Sequence, residues 1–290
     1  MKDVLITGGT GFLGRALVCR LLQMPETKRV CIFSRDEAKQ AAMSAKIADP
    51  HEKLRWFIGD VRDKERLQRA MLGVDVVIHA AALKRVEVGE YNPAEMVKTN
   101  VLGTMNVIDA AFDAPLENAT APRHVVYVSS DKACQPRNAY GASKLMGEKL
   151  ILASNNTGGR FGPIFSAVRY GNVAGSTGSV IPTWRERRDR NEEIVMTDSR
   201  ATRFWMRIDQ AVDLVLGVAA SKEGGGLHVP QLPAYRLDDL ATAMRIAGPI
   251  KITGLQQGEK LHERMLEDGP TSEEVERMTI HEIRAGLELI

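Results

Sequence analysis

DVLITGGTGFLGRALVCRLLQM, residues 3–24, contains a strand, a turn and a helix in immediate succession. DVLIT (3–7) is apolar enough to be a buried strand. FLGRALVCRLLQM after it carries apolar residues at helical spacing. Between them Gly8, Gly11 and Gly14 stand in GxxGxxG spacing. That spacing suits a tight turn whose backbone can approach a pyrophosphate at a helix N-terminus, where unpaired N–H groups and the helix dipole favour an anion. Glycines alone are common in turns; the flanking strand and helix make this a dinucleotide-type loop.

The same alternation continues outward. RVCIFS (29–34), LRWFI (54–58), VDVVIHA (74–80) and HVVYVSS (124–130) read as further buried strands. Between them DEAKQAAMSAKI, KERLQRAML and PAEMVKTNVLGTMNVIDAAF have helix-type spacing, followed by a helix over 138–154 and a strand over 163–173. Near-continuous apolar strands alternating with helices predict an α/β, Rossmann-like, doubly wound parallel sheet. Beyond about Gly175 the pieces shorten; a helix over 209–220 and a strand GLHVP (226–230) are clearest. Residues 1–174 are therefore expected to form the cofactor-binding domain. Residues 175–290 are expected to form a small C-terminal substrate-binding lobe interleaved with the main sheet.

Composition narrows the class. The 290 residues are 44% hydrophobic, with 39 basic and 37 acidic side chains, ordinary values for a globular chain. WRERRDRNEE (184–193) mixes both signs, which argues against a nucleic-acid footprint and for a solvated helix. Cys19, Cys31 and Cys134 show no metal-type spacing; Cys19 and Cys31 are expected to be buried small hydrophobes, and no metal site is expected. A cytoplasmic protein with neither signal peptide nor membrane span is the expectation.

Strand 29–34 ends in Ser34-Arg35. A carboxylate there would favour NAD, whereas a hydroxyl and a guanidinium suit the 2′-phosphate of NADP. NADP is expected and NAD stays possible, with Arg35 stacking on adenine or facing solvent as the alternative. Asp60 and Val61, in GDVRD, stand where adenine would lie; Asp60 is equally a candidate helix cap. In SSDKACQPRNAYGASK (129–144), Tyr140 and Lys144 sit one helical turn apart. The ammonium is expected to lower the phenol pKa and make Tyr140 a base. Ser129 and Ser130 can bond a substrate hydroxyl. Asp131 and Lys132, just upstream, are either an acid–base pair or a surface ion pair of little energetic weight.

TGGTGFLG, the SS pair and YGASK together resemble the extended short-chain dehydrogenase/reductase superfamily. HAAALKRVEVGEYNP (79–93), KTNVLGTMNV (98–107), SSDKACQPRNAYGASK, VRYGNVAGSTGSVIP (168–182), TRFWM (202–206) and GEKLHE (258–263) are similar to the inverting UDP-N-acetylglucosamine 4,6-dehydratases. The resemblance spans nearly the whole chain. It implies a polysaccharide-biosynthesis lyase acting on a UDP-N-acetylhexosamine through bound NADP. Tyr140 would take the carbon 4 hydroxyl proton, Lys132 the carbon 5 proton, and Asp131 would protonate the departing carbon 6 hydroxyl. Lys132 must then be neutral, through burial or nearby cations, and Asp131 must keep its proton.

The resemblance also implies cofactor contacts from Thr7, Gly8, Thr10, Gly11, Phe12, Leu13, Gly14, Ala80, Ala81 and Asn100 together with Tyr140 and Lys144. For the sugar nucleotide it implies Lys84, Ser130, Asn172, Gly178, Ser179, Val180, Arg203 and Glu259, and for the assembly a homo-oligomer. Thr177 stands where the family loop commonly carries a basic residue, and the chain runs only as far as HEIRAGLELI, shorter than many relatives. A 4-epimerase or reductase of the same fold is the alternative, arguing against which is the Asp131-Lys132 pair. A non-catalytic NADP-binding regulator is the second alternative, distinguished by the absence of turnover.

Overall fold

The computed structural model describes residues 1–113, 122–158, 162–221 and 225–290. Strands β1 (Asp3–Thr7), β2 (Arg29–Ser34), β3 (Leu54–Ile58), β4 (Val76–His79), β5 (His124–Val128) and β6 (Ile164–Val168) lie parallel in the order β6-β5-β4-β1-β2-β3. The chain then forms β7 (Asn172–Val173), β8 (Ile194–Met196) and β9 (Thr202–Met206) before β10 (Leu227–His228) returns to pair in parallel with β6. β11 (Ala234–Arg236) and β12 (Ile250–Ile252) complete two small sheets, β11-β9-β7 and β12-β8. Strand order reverses at β1, between β2 on one side and β4 on the other. A doubly wound sheet opens its ligand crevice at such a point, beyond the strands' C-terminal ends.

Both faces of the sheet are covered, which is why its strands read as unbroken apolar runs. Val4, Ile6, Val30, Ile32 and Ile78 pack against Leu17, Val18 and Leu21 of helix Phe12–Gln23, and against Val212 and Val215 of helix Ile208–Ala220. The alternate residues Leu5, Cys31, Val77 and Val125 face Leu67, Val107 and Ile151 of the helices on the other side. The strand GLHVP thus supplies the seventh strand of the main sheet, and helix 208–220 is one of that sheet's covers. The small lobe has its own core around Trp184, Trp205, Tyr235, Leu240 and Ile283. We propose Gly175 as the start of a substrate-binding unit, with 208–228 its interleaved part.

Three local features differ from expectation. Cys19 is exposed on helix Phe12–Gln23 while Cys31 and Cys134 are buried, because Leu17, Val18 and Leu21 take the inward face. The stretch 93–112 is interrupted by a π-helical segment, Val97–Leu102, which turns Thr99 and Asn100 inward. Within the mixed-charge segment, helix Val180–Asp189 buries Trp184, whose Nε1 donates to Val195 O (3.0 Å). Among the described residues no helix is long and apolar enough to cross a membrane.

Candidate active site

Beyond the C-terminal ends of β1, β2, β4 and β5 lies a cleft of about 1190 Å³, bounded on its far side by 171–179. Its floor is the first glycine turn. Gly8 has φ +70°, and a Cβ there would lie 2.8 Å from Ala81. At Gly14 a Cβ would come within 2.6 Å of Gly8 O and Gly9, so the helix can approach the turn only without side chains. Helix Phe12–Gln23 starts at Gly11 with no side-chain cap and no acidic residue in its first turn. Its first N–H groups are therefore left for an anion, and the loop fits a dinucleotide pyrophosphate. Gly8, Thr10, Gly11, Phe12, Leu13, Gly14, Ala80 and Ala81 all border the cleft.

Thr7 and Asn100 do not border it. Thr7 is fully buried, bonding His79 Nδ1 (2.7 Å) and Ala81 N (3.3 Å). Asn100 accepts from Leu83 N (2.8 Å) and donates to Leu83 O (2.9 Å) and Ser143 Oγ (2.9 Å). Its amide is spent on holding the 80–85 loop against the Tyr140 helix, so it supports the cleft from behind instead of touching a cofactor.

At the end of β2, Thr10 Oγ1 donates to Ser34 Oγ (3.0 Å), and Arg35 lies 3.6 Å from Asp60 with its side chain 56% exposed. Asp60 is not a helix cap. It accepts from Arg62 N and pairs with the Arg62 guanidinium (2.8 Å), and Asp63 caps the next helix instead. Burial pushes the Asp60 pKa up, but Arg62 and Arg35 outweigh it and hold the carboxyl below its usual range. Val61 and Asp60 both line this end.

The centre of the site is built where β5 ends. Ser129 N donates to Val168 O (2.7 Å) and Asp131 N to Tyr170 O (2.9 Å). Ser130 then caps a single 3₁₀ turn, Asp131–Ala133, by accepting from Lys132 N. Helix Ala139–Ala153 packs directly onto that turn. A Cβ at Gly141 would collide with Lys132 O, so the glycine of YGASK is what lets Tyr140 and the Asp131-Lys132 turn share one pocket. Asp131 is 1% exposed, with Oδ1 accepting from Ser130 Oγ (2.9 Å) and Lys132 Nζ (2.9 Å). Burial raises the Asp131 pKa, with Lys132 acting against it and Glu263 with it; this carboxyl is suited to keep a proton.

Lys132 departs from expectation. Burial pulls its pKa down, yet the carboxylates of Asp131 and Glu263 outweigh burial and hold it above the usual lysine range. It is an ammonium at rest, not a free amine. Tyr140 departs likewise: burial raises its pKa, Ser130 and Lys132 pull the other way, and Asp131 adds to the rise. Lys144 does not reach the phenol's charge balance here. Its Nζ donates to Val128 O (2.6 Å) and lies 4.0 Å above the Tyr127 ring.

Burial drops the Lys144 pKa to about 7, against an upward push from Glu148. Unfolded, that lysine titrates near its ordinary value of 10.5. Between the two the unfolded chain binds more protons, so stability rises with pH across the window. The denaturant midpoint of the wild type should therefore gain on that of Lys144→Met between about pH 7 and about pH 9. Parallel shifts of both proteins would contradict it.

On the far lip, Lys84 Nζ donates to Thr177 O (3.0 Å), and burial followed by Arg85 lowers its pKa. Asn172, Gly178 and Ser179 line the cleft; Val180 begins helix Val180–Asp189 just outside it. Arg203 and Glu259 stand apart from the large cleft in an adjoining hollow of about 330 Å³ that Lys132 also borders. They pair with each other (2.7 Å), and Arg203 also donates to Thr202 O and Leu261 O. As folded, both are committed to one another rather than open to a diphosphate or ribose.

Sequence reasoning passed over Glu263. It lay in the quoted GEKLHE, but no local pattern joins it to Lys132, 131 positions earlier. Its Oε1 is 3.3 Å from Lys132 Nζ. Lys260, beside it, donates to Cys134 O (2.5 Å) and ties the same segment to the 131–134 turn. Buried side-chain atoms without a protein partner concentrate here: Thr99 Oγ1, Ser129 Oγ, Asp131 Oδ2, Asn172 Oδ1 and Ser179 Oγ all belong to cleft-lining residues. Buried polar atoms are normally satisfied, so this cluster fits a polar ligand. A phenol, a carboxyl of raised pKa and an ammonium around one cavity can move several protons on such a ligand.

Comparison with known proteins finds relatives along nearly the whole chain. The family model described as polysaccharide biosynthesis protein matches residues 4–285. The UDP-N-acetylglucosamine 4,6-dehydratase (inverting) of Campylobacter jejuni is 45% identical over 266 residues, covering 91% of this chain and 77% of that protein. A UDP-glucose 4-epimerase of Rickettsia typhi is 40% identical over 272 residues, with the same 91% and 77% coverage. The X-ray structure of Pen from Bacillus thuringiensis aligns with a TM-score of 0.91 at 33% identity, covering 100% of this chain and 98% of that one.

Proposed function

The chain belongs to the polysaccharide biosynthesis protein family, and from that premise we propose that it is a nucleotide-sugar 4,6-dehydratase. Its substrate is UDP-N-acetylglucosamine and its product the 4-keto-6-deoxy sugar nucleotide, inverted at carbon 5. The observation that carries this reading is the buried Asp131-Lys132 turn packed against the Tyr140 helix. A 4-epimerase or a reductase needs the tyrosine but has no use for a second acid and base.

The hydrogen on carbon 5 is not acidic until carbon 4 is a ketone. Tyr140 receives the carbon 4 hydroxyl proton, and Ser130 orients that hydroxyl. A nicotinamide cofactor, when bound, would supply the reversible oxidation that links carbon 4 and carbon 6. Lys132, once it has shed its own proton, removes the carbon 5 proton; Asp131 protonates the carbon 6 oxygen as it leaves. The glycine turn would hold the cofactor's pyrophosphate, and Lys84, Asn172, Gly178 and Ser179 would hold the sugar nucleotide. Arg203 and Glu259 would join them only by giving up their mutual ion pair. The setting of this reading is a cytoplasmic homo-oligomer.

NADP is the proposed cofactor. The acid that follows Arg35, Asp36, is occupied as a helix cap, accepting from Lys39 N and pairing with Lys39 Nζ (2.8 Å). The strand end thus offers a guanidinium and no free carboxylate, which suits a 2′-phosphate. Arg35→Ala should weaken NADP binding by about 10-fold to 100-fold, the worth of a charge-assisted hydrogen bond, and leave NAD within about 3-fold. Fluorescence titration of both dinucleotides measures this; equal losses would contradict the assignment.

A proton NMR time course of the protein with UDP-N-acetylglucosamine in deuterated water tests the function. The expected product is a 4-keto-6-deoxy sugar carrying deuterium at carbon 5, with ring couplings of the inverted isomer. The 40% identity to a protein named UDP-glucose 4-epimerase favours a second reading, 4-epimerisation, and a galacto-configured product would establish it instead.

A further inference from the structure

Lys132 is held between two carboxylates. Its Nζ lies 2.9 Å from Asp131 Oδ1 and 3.3 Å from Glu263 Oε1, and the two acids are 1% and 3% exposed. Each acid also keeps one buried oxygen, Asp131 Oδ2 and Glu263 Oε2, without a hydrogen-bond partner. Two buried carboxylates that share the Lys132 ammonium disfavour each other's ionisation, which favours a proton on one of them. The surroundings decide which. Glu263 has Lys260 Nζ at 3.7 Å and the Arg203 guanidinium near it. Asp131 has the Ser130 hydroxyl and the Tyr140 phenol, which are neutral.

Resting on the dehydratase reading, we propose that Glu263 is the positioning residue for Lys132: it is the ionised partner of the ammonium, and by being so it leaves Asp131 free to hold the acid's proton. Without it Asp131 would be the sole counter-ion of Lys132 and would ionise, and the site would have neither its acid nor its base. Glu263 also gives the ammonium's proton a place to go. In the dry, substrate-filled site one Nζ–H bond breaks as a Glu263 O–H bond forms, and the pair becomes neutral. The free amine then takes the carbon 5 proton, whose electron pair moves onto the carbon 4 carbonyl as an enolate. Collapse of the enolate breaks the carbon 6–oxygen bond, and Asp131 gives its proton to the leaving hydroxide to make water. The protons balance: after the elimination Lys132 is again an ammonium, the proton it shed rests on Glu263, and Asp131 has lost one to water, so moving the Glu263 proton to Asp131 restores the site.

The test reads the proton directly. A protonated-carboxyl infrared band is expected in the wild-type protein at neutral pH and identified as Asp131 by its loss in Asp131→Asn. In Glu263→Gln that band should vanish, because Asp131 becomes the only counter-ion. An undiminished band in Glu263→Gln would overturn the proposal. With UDP-N-acetylglucosamine, Glu263→Gln should slow deuterium entry at carbon 5 by about 100-fold, while KM stays within about 3-fold. Exchange at the wild-type rate would likewise overturn it. Glu263→Asp keeps the charge and withdraws it by one methylene; it should show a weakened band and partial recovery of exchange. It also decides the matter should the glutamine variant not fold, an unaltered band and rate counting against the proposal. The spectrum needs no substrate, so failure of the dehydratase reading would show separately, as a wild-type protein that makes no keto sugar.

Discussion

Tyr140→Phe lowers turnover of UDP-N-acetylglucosamine by about 10³-fold, the middle of the range for removing a positioned general base. Tyr140 is the phenol that borders the cleft in contact with Ser130, Lys132 and Asp131, and carbon 4 must lose its hydroxyl proton before any later step can occur. The substitution removes one oxygen atom and leaves the ring in place. Asn138 still caps the helix by accepting from Gly141 N (2.8 Å), and Gly141 still lies against Lys132, so folding and cofactor binding should hold. The measurement is the steady-state rate of keto-sugar formation, alongside thermal melting. A variant within tenfold of the wild type would remove Tyr140 from the oxidation step. Its environment also bears on pH: burial outweighs the pull of Ser130 and Lys132 and keeps the phenol above its usual pKa, so Tyr140 acts as a base only once further positive charge, such as that of Lys144, is brought beside it.

Arg169→Leu should destabilise the protein by about 3–5 kcal/mol, the cost of leaving a buried charge without its partner. Arg169 and Glu148 are 5% and 2% exposed. Nε donates to Glu148 Oε1 (2.9 Å), Nη2 donates to Oε2, and Nη1 donates to Met265 O (2.6 Å). The pair therefore ties three things together: the Tyr140 helix, the strand end at β6, and the segment that carries Glu263. Leucine fills the volume but strands the carboxylate. The double change Arg169→Leu with Glu148→Leu removes both charges and should recover most of the loss. Urea midpoints of the three proteins decide it; a single-variant loss below about 1 kcal/mol, the worth of an exposed pair, would mean that water reaches Glu148.

The sheet was legible because parallel strands buried on both faces leave long apolar runs, and each of β1 to β6 overlaps a segment read from the sequence. The glycine turn was legible for a similar reason, since Gly8 and Gly14 answer a local backbone demand. Asp131, Lys132, Tyr140 and Lys144 were found as a group because fourteen residues of contiguous sequence bring them together. What pattern could not supply were their charge states. Lys132 reads as a base made neutral by burial or nearby cations, yet two acids, one of them Glu263 from the small lobe, outweigh its burial and the Arg203 charge. Arg203 and Glu259 were each assigned a ligand because neither gives any local sign of the other, 56 positions away. Asn100 was placed on the cofactor by resemblance, and the π-helical turn that carries it inward leaves no trace in apolar spacing. Which edge of the main sheet strand 226–230 joins was not legible, because two paired residues carry too little sequence to show it.

A substrate labelled with deuterium at carbon 4 offers the most direct test of the dehydration. Incubated with the protein in ordinary water and followed by deuterium NMR, it should yield a 4-keto sugar whose carbon 6 methyl group carries the label. That result would require oxidation at carbon 4, loss of the carbon 6 hydroxyl and return of the same hydrogen within one active site. A label that remains on carbon 4, in a sugar that still has its carbon 6 hydroxyl, would contradict dehydration and leave Asp131, Lys132 and Glu263 without the work assigned to them.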